Sequence, residues 1–278
     1  GLRVPDSWLA TEKPVFLSDF GCRSVGGQQK NQSLKEGVIC YGRRTFLLNL
    51  PKYHLNIRTL MLMTKKQAIA IITKCAKQYQ QYLEGNQVVF VYRDENNKSN
   101  HTAVRFHSHN FLHFTGVTPR TGMNANGFYR AALNNRLSEN DFSFKSNHTT
   151  ELKLKVLGII MSMDTSARMI GNYTGPHLEL YTEKVTGTTT ACLGLIQSKD
   201  CYIPNSVLSE DIRSIVPKPP GKIFAIFKKP IGAPLYTQLT YKSKNISITK
   251  KCLPKELLTE VDTSLLEDNN NSDDNEPA

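Results

Sequence analysis

The chain has 278 residues, and 35 Lys and Arg against 24 Asp and Glu give it a formal charge of +11. The charge is uneven. Past Lys255 come eight acids, Glu256 to Glu276, and no Lys or Arg, which leaves 35 basic against 16 acidic residues over 1–255, a net of +19. That excess suits a phosphate-backbone partner bound in a salt-dependent way, and no apolar run approaches the roughly 20 residues of a bilayer span, so nucleic acid is expected and a membrane is not. The six cysteines, Cys22, Cys40, Cys75, Cys192, Cys201 and Cys252, show neither Cys-x-x-Cys pairs nor a secreted disulfide framework, and a reducing cytoplasm is expected.

Residues 1–62 lack sustained periodicity, begin without Met and scatter Trp8, Cys22 and Cys40 without order. They read as a poorly patterned extension foreign to the domain, with the natural start expected at Met63. There the pattern sharpens. Thr64-Lys-Lys-Gln67 is a capping box, with Met63 placed to staple against Ala68. Ala68, Ile72, Cys75, Ala76, Tyr79, Tyr82 and Leu83 recur at helical spacing, and Gly85 supplies the stop. A strand over 87–93 follows, then the turn Asp94-Glu-Asn-Asn-Lys98, so 63–104 reads as helix plus strand leading into the main domain, 105–245.

The segment 103–115 is expected as one extended strand. Alternation would place Arg105, His107, His109, Phe111 and His113 on a basic, titratable face and Val104, Phe106, Ser108, Asn110, Leu112 and Phe114 on a largely apolar one. Helical patterns follow at 124–137 and 150–163. The chain then turns β-rich, with strands expected over 168–173, 178–185, 190–197, 222–228 and 235–242, interrupted by a short capped helix at Ser209-Glu-Asp-Ile-Arg213. Helices first and an antiparallel meander afterwards indicate an α+β fold. Residues 246–278 are expected as an acidic tail, helical at first through Leu257, Leu258, Val261 and Leu265 and largely disordered after that. One role for that tail is a solubilising end. The other is to fold back over the basic surface, so that truncation after Lys255 raises RNA affinity most at low salt.

Imidazole, with an unperturbed pKa of about 6.5, can both take and give a proton near neutrality. RNA cleavage without a metal needs a base for the 2′-OH, an acid for the leaving 5′-oxygen, and cations to offset phosphorane charge. His113 is the first candidate for base or acid, with Thr115 and Gly116 beside it; a glycine closing a strand lets backbone approach a ligand. Lys153 and Lys155 lie about 200° apart on a helix, so only one can face the site. Lys153 sits near the helix start, where backbone N–H groups also favour phosphate. On a strand over Tyr181-Thr-Glu-Lys184, Thr182 and Lys184 share one face and Tyr181 and Glu183 the other, and Thr186-Gly-Thr-Thr-Thr190 continues the hydroxyl run. The structural alternatives are a hydrogen-bonded histidine, a solvated lysine and an exposed Thr/Lys β-surface. His107, His109 and His113 could converge on zinc, but no acid or cysteine lies nearby to complete a set. Phosphate-loop, esterase-elbow and dinucleotide signatures are absent, so neither metal nor cofactor is expected.

Several pieces recur in order: Phe111-Leu-His-Phe-Thr-Gly-Val117, Gly127-Phe-Tyr-Arg-Ala-Ala-Leu133, Leu137-Ser-Glu-Asn-Asp-Phe142, Thr150-Glu-Leu-Lys-Leu-Lys-Val-Leu157, Leu180-Tyr-Thr-Glu-Lys184, Ala191-Cys-Leu-Gly194, Tyr202-Ile-Pro-Asn-Ser206 and Phe224-Ala-Ile-Phe227. Over about 105–243 the chain resembles the phage-associated barnase–EndoU–colicin–RelE-like nuclease domains, specifically the fourth phage-linked subgroup. The resemblance implies N-terminal helices packed on a twisted antiparallel sheet of four or more strands. It implies an RNA substrate, tRNA being one candidate, and a toxin or effector of a phage or mobile element, active in the cytoplasm of its own or another cell and held by an immunity or antitoxin protein. The catalytic residues it implies are His113, Lys153, Thr182 and Lys184. Arg105, His107, His109, Thr115, Lys155, Arg168, Tyr181 and Thr190 are then expected to bind substrate. Two rivals stand beside it: a nucleic-acid-binding module without turnover, and an ADP-ribosyltransferase, pieces of whose sites His113-Phe-Thr and Tyr181-Thr-Glu resemble.

Overall fold

The computed structural model describes residues 40–41, 44–45, 63–175 and 181–267. The chain divides into Gly1–Tyr53 and His54–Ala278. In the first unit only the pairing of Cys40–Tyr41 with Arg44–Thr45 is described. The remaining expectations for 1–62, the start of the strand expected from 178, and the last tail residues, 268–278, lie outside the described residues.

Helix α1, Lys65–Tyr82, starts from the box the sequence announces. Thr64 Oγ1 accepts the Gln67 N–H at 3.2 Å and Gln67 Oε1 accepts the Thr64 N–H at 2.8 Å, an N-terminal arrangement worth about 1 kcal/mol. The helix buries Ala68, Ile72, Cys75, Ala76 and Tyr79. Strand β1, Asn86–Arg93, pairs antiparallel with β2, Ser99–Arg105, around a turn in which Asp94 Oδ1 accepts from the Asn96 and Lys98 amides. Val88 and Phe90 enter one core while Val89 and Val91 enter another, so β1 is covered on both faces.

The strand expected over 103–115 stops at Arg105. Asn110 explains the stop: its Oδ1 accepts the His107 N–H at 2.8 Å, and its buried Nδ2 donates to Pro204 O at 3.2 Å. A side chain that supplies backbone partners locally competes with the sheet ladder. The chain turns instead into α2, Asn110–Thr115, closed by Gly116 in the left-handed region at φ 68. Helical spacing therefore governs, with Phe111, Phe114 and Thr115 inward and His113 outward. Helix α3, Ala125–Leu133, is capped by Asn124 and ends short of the expected 137, although Leu137 is still buried. The helix expected over 150–163 is two: α4, Thr149–Ile160, and α5, Met163–Ser166.

Thr118–Pro119 and Phe142–Ser143 pair by themselves, and the remaining strands are β3 Met169–Asn172, β4 Lys184–Gly187, β5 Cys192–Ser198, β6 Cys201–Leu208, β7 Gly221–Pro230 and β8 Gln238–Lys242. Among the described residues they form one sheet in the order β8-β7-β1-β2-β6-β5-β4-β3, and β3 also pairs with the start of β7, so the sheet curls back on itself. The architecture is α+β, as the sequence pattern indicates. The ladders are antiparallel except β2–β6, which meet in parallel at Val104 and Tyr202. Strand β6 is the element the sequence conceals. Pro204 argues against a strand interior, and the register shifts between Pro204 and Ser206, making a bulge at Asn205.

The helices cover one face through a core that includes Tyr79, Phe106, Phe111, Phe114, Phe128 and Leu157. The other face is covered by the chain after β8, where Ile248, Leu253, Leu257 and Val261 pack on Val89, Val91, Phe224 and Phe227. Residues 246–267 are thus a packed strap, in contrast to the disordered tail expected from 246. Its helical start is reduced to short 3₁₀ turns, Lys255–Leu257 and Thr263–Leu265. Two of its acids are engaged, Glu260 with Lys229 at 2.9 Å and Glu267 with Lys242 at 2.5 Å.

Candidate active site

Helix α2 carries the imidazole centre. His109, which already has helical backbone angles at the N-cap, and His113 are four residues apart and so share a helix face. The His107 ring stacks on His109 with centroids 5.3 Å apart and planes 8° from parallel. His107 is itself held by the Tyr79 hydroxyl, which donates to its carbonyl at 2.9 Å. Helix α4 brings Lys153 to the same place, its ammonium donating to His113 O at 2.9 Å. His113 is exposed, and Lys153 is half-buried.

Gly116 makes that approach possible. A Cβ there would stand 2.8 Å from Lys153 Cδ and 3.3 Å from Thr150 Cα, so the missing side chain leaves the channel for the lysine stem. Thr150 ties the two helices: its hydroxyl donates to Gly116 O at 2.8 Å and accepts the Lys145 N–H at 3.0 Å. Burial, and then the charge of Lys145, push the Lys153 pKa down to about 8. Partial loss of hydration lowers the imidazole pKa of His113, with Lys153, His109 and Lys145 adding to it. The site therefore favours a neutral His113 beside an ammonium that has used one of its three N–H donors. Such a pair can accept a proton and offset anionic charge at one location.

A second group forms where β4, β5 and β6 meet. Thr182 donates to Asn205 Oδ1 at 3.3 Å, and Asn205 Nδ2 donates to Tyr181 O. Both contacts lie over Gly194, whose absent Cβ would sit 3.0 Å from Thr182 Oγ1 and from Asn205 Oδ1. Lys184 donates to Asn172 Oδ1 at 3.0 Å and lies 5.8 Å from the Tyr202 ring centroid, and burial lowers its pKa. Tyr181 is 82% exposed, its ring free to meet a ligand. Tyr181 and Thr182 precede β4 instead of continuing it, so strand alternation does not order them. Strand β6 is in contact with both regions, since Pro204 O accepts from Asn110 at the start of α2 and Asn205, which follows directly, accepts from Thr182.

Other expected residues serve elsewhere. Arg105 takes the opposite face of β2 from Val104 and Phe106; its Nε donates to Gln87 Oε1 at 2.7 Å and its guanidinium pairs with Asp200 at 2.8 Å. Thr115 is fully buried and donates to Leu112 O at 2.8 Å, which makes it a turn-closing hydroxyl. Arg168 stacks over Tyr241 at 3.8 Å and donates to Thr165 O and Ala167 O. Thr190 is exposed in the β4–β5 turn, at the end of the hairpin away from Lys184. Lys155 is exposed while Lys153 turns inward, the split their angular separation requires. Two residues were missed. Lys145 is placed by its amide bond to Thr150, five residues on, a loop contact without a recognisable motif. Asn205 follows a proline in a run that reads as irregular, and that bulge signal could have drawn attention to it.

Among the described residues no helix is long and apolar enough to cross a membrane, and no group of three or more His, Cys, Asp or Glu is set to hold a metal ion. No curated protein and no solved structure matches the chain. Residues 71–245 match the family described as phage-Barnase-EndoU-ColicinE5/D-RelE like nuclease 4. The match opens within α1 and runs through the β1–β2 hairpin, α2, α4 and the sheet to β8. It spans more than half of the chain and every residue of both side-chain groups, and the protein belongs to this family of phage-associated nucleases.

Proposed function

We propose that the protein is a metal-independent RNA endonuclease that cleaves by 2′-OH attack on the adjacent phosphate. The observation carrying this reading is the exposed imidazole of His113 beside the half-buried ammonium of Lys153, with the His109 imidazole on the same face of α2. Neutral His113 takes the 2′-OH proton and the 2′-oxygen attacks phosphorus. The P–O5′ bond breaks, and the leaving oxygen takes its proton from a water molecule. The products are a 2′,3′-cyclic phosphate and a 5′-hydroxyl. Lys153 offsets charge on the phosphorane oxygens. Thr182 and Lys184 supply a hydroxyl and an ammonium to a flanking phosphate, and the exposed Tyr181 ring stacks on an unpaired base. A toxin or effector role, action in the cytoplasm, tRNA as one candidate target and a restraining antitoxin or immunity protein belong to the same reading, while the family match bears on the nuclease activity alone.

The test incubates wild type and His113→Ala with a cellular RNA pool in EDTA and identifies the product ends. Cyclic-phosphate and 5′-hydroxyl ends are expected from wild type, with a rate loss of about 10²–10⁴ in the variant. Intact RNA together with salt-sensitive binding would leave a binding module instead. Cleavage abolished by EDTA and restored by a divalent ion would overturn metal independence.

A further inference from the structure

The outer side of α1 carries a cationic groove apart from the histidine cluster. Lys66, Thr73, Lys74 and Lys77 lie at helical spacing above a floor that includes Ile69, and Asn135, held at φ 55, stands on the facing wall of a cleft of about 460 Å³. The three lysines are exposed, and among the described residues none has an acidic partner. Thr73 adds a second signal. A helical threonine ordinarily returns its hydroxyl to a carbonyl of the preceding turn, but Thr73 Oγ1 is shielded from water and has no hydrogen-bond partner among the described residues. The groove therefore offers three exposed point charges, a set that phosphate oxygens would satisfy, and the unpaired Thr73 hydroxyl lies beneath them out of solvent reach.

The layout favours a strand over a single anion. From Lys66 to Lys77 the stripe runs about 16 Å along the axis at 1.5 Å per residue, longer than one phosphate group can fill. Its far end lies half a turn before Tyr79, the residue whose hydroxyl reaches the His107 carbonyl. The stripe thus leads along the helix towards the end that abuts the imidazoles.

We propose that this groove is a second binding site, which takes the phosphodiester backbone of an RNA strand away from the scissile linkage and directs it towards His113; the inference rests on the nuclease reading for its substrate. The combined substitution Lys66→Gln, Lys74→Gln and Lys77→Gln removes the charge at little cost in helix propensity. Binding of a long single-stranded RNA is measured across a salt series on a His113→Ala background, which leaves the strand intact. Cleavage of a dinucleotide is followed separately with His113 present. The expected result is weaker binding at low salt and a slope of log K against log salt reduced by about 2, at roughly 0.7 per phosphate on a single strand. Dinucleotide cleavage should be unchanged, and the corresponding triple Lys→Arg substitution should restore the slope. An unchanged slope overturns the groove even if RNA is cut. An equal loss with the dinucleotide overturns it too, by assigning the effect to the fold. If the unsubstituted chain cuts no RNA, the nuclease reading fails while the slope still decides the groove.

Discussion

The α2–α4 junction and the β4–β6 edge present the same kinds of group, an ammonium and hydroxyls near an aromatic or imidazole ring, and differ in what those groups can exchange. At the junction Lys153, its pKa held down to about 8, lies over Gly116 beside His113, and His109 shares the helix face of His113. At the edge Lys184 and Thr182 are tied to the carboxamides of Asn172 and Asn205, and no imidazole takes part in those contacts. A cation beside a titratable ring can move protons and offset charge together; a cation beside amides can only hold an anion. Under the proposed reading, proton transfer belongs to the junction and grip to the edge.

The strongest attempt to break that division removes the two lysines in turn. Lys153→Met is expected to lower kcat by about 10²–10³, the scale of losing one preorganised charge contact to the transition state, and Lys184→Met to act mainly on KM. A larger kcat loss from Lys184→Met would reverse the assignment. The pH profile sharpens it. Activity should rise with pH through the His113 pKa, which lies below its ordinary 6.5, because the base must be neutral; it should fall as pH passes about 8, where Lys153 loses its proton. With Lys153→Arg the guanidinium stays charged and the alkaline fall should disappear. An alkaline limb that stays in place would remove Lys153 from the chemistry.

A smaller effect is expected from Gly116→Ala. The new side chain must hold φ 68, at roughly 1–2 kcal/mol, and places its Cβ 2.8 Å from the Lys153 stem. Thermal unfolding should shift down and cleavage should drop less than in Lys153→Met; unaltered stability and rate would show that the lysine channel has no role. The mildest is Asn205→Ala, which frees the Tyr181–Thr182 segment at a cost of about 1 kcal/mol, or roughly fivefold in KM, with kcat nearly constant. A drop in kcat alone would place Asn205 on the proton-transfer side.

What was legible in the sequence was local. The Thr64–Gln67 box, the Asp94 turn and the apolar spacing of α1 from Ala68 to Tyr79 all rest on neighbours within a few residues and fold as read, whereas Tyr82 is exposed. The histidine segment was misread because His107, His109 and His113 fit both an alternating strand and a short helix, and the choice between them is made by Asn110, whose carboxamide reaches Pro204 on a strand far along the chain. Strand β6 was hidden by the same proline. Arg105 reads as a phosphate ligand only until Asp200 is brought beside it, a pairing that separation in sequence conceals. His113 and Lys153 could be singled out by residue type, but the missing Cβ of Gly116 that lets them meet has no one-dimensional signature.

The ammonium of Lys229 has consequences for anyone shortening this protein. Its side chain is only 7% exposed, 2.9 Å from Glu260 and 4.3 Å over the Tyr236 ring. Trimming after Lys255, where the charge changes sign, would strip away that carboxylate together with Val261 and strand a shielded cation against an aromatic wall. A chain ending at Glu267 keeps this latch closed and sheds only the final acids, so a gain in RNA affinity by that shorter form would report electrostatics, not damage.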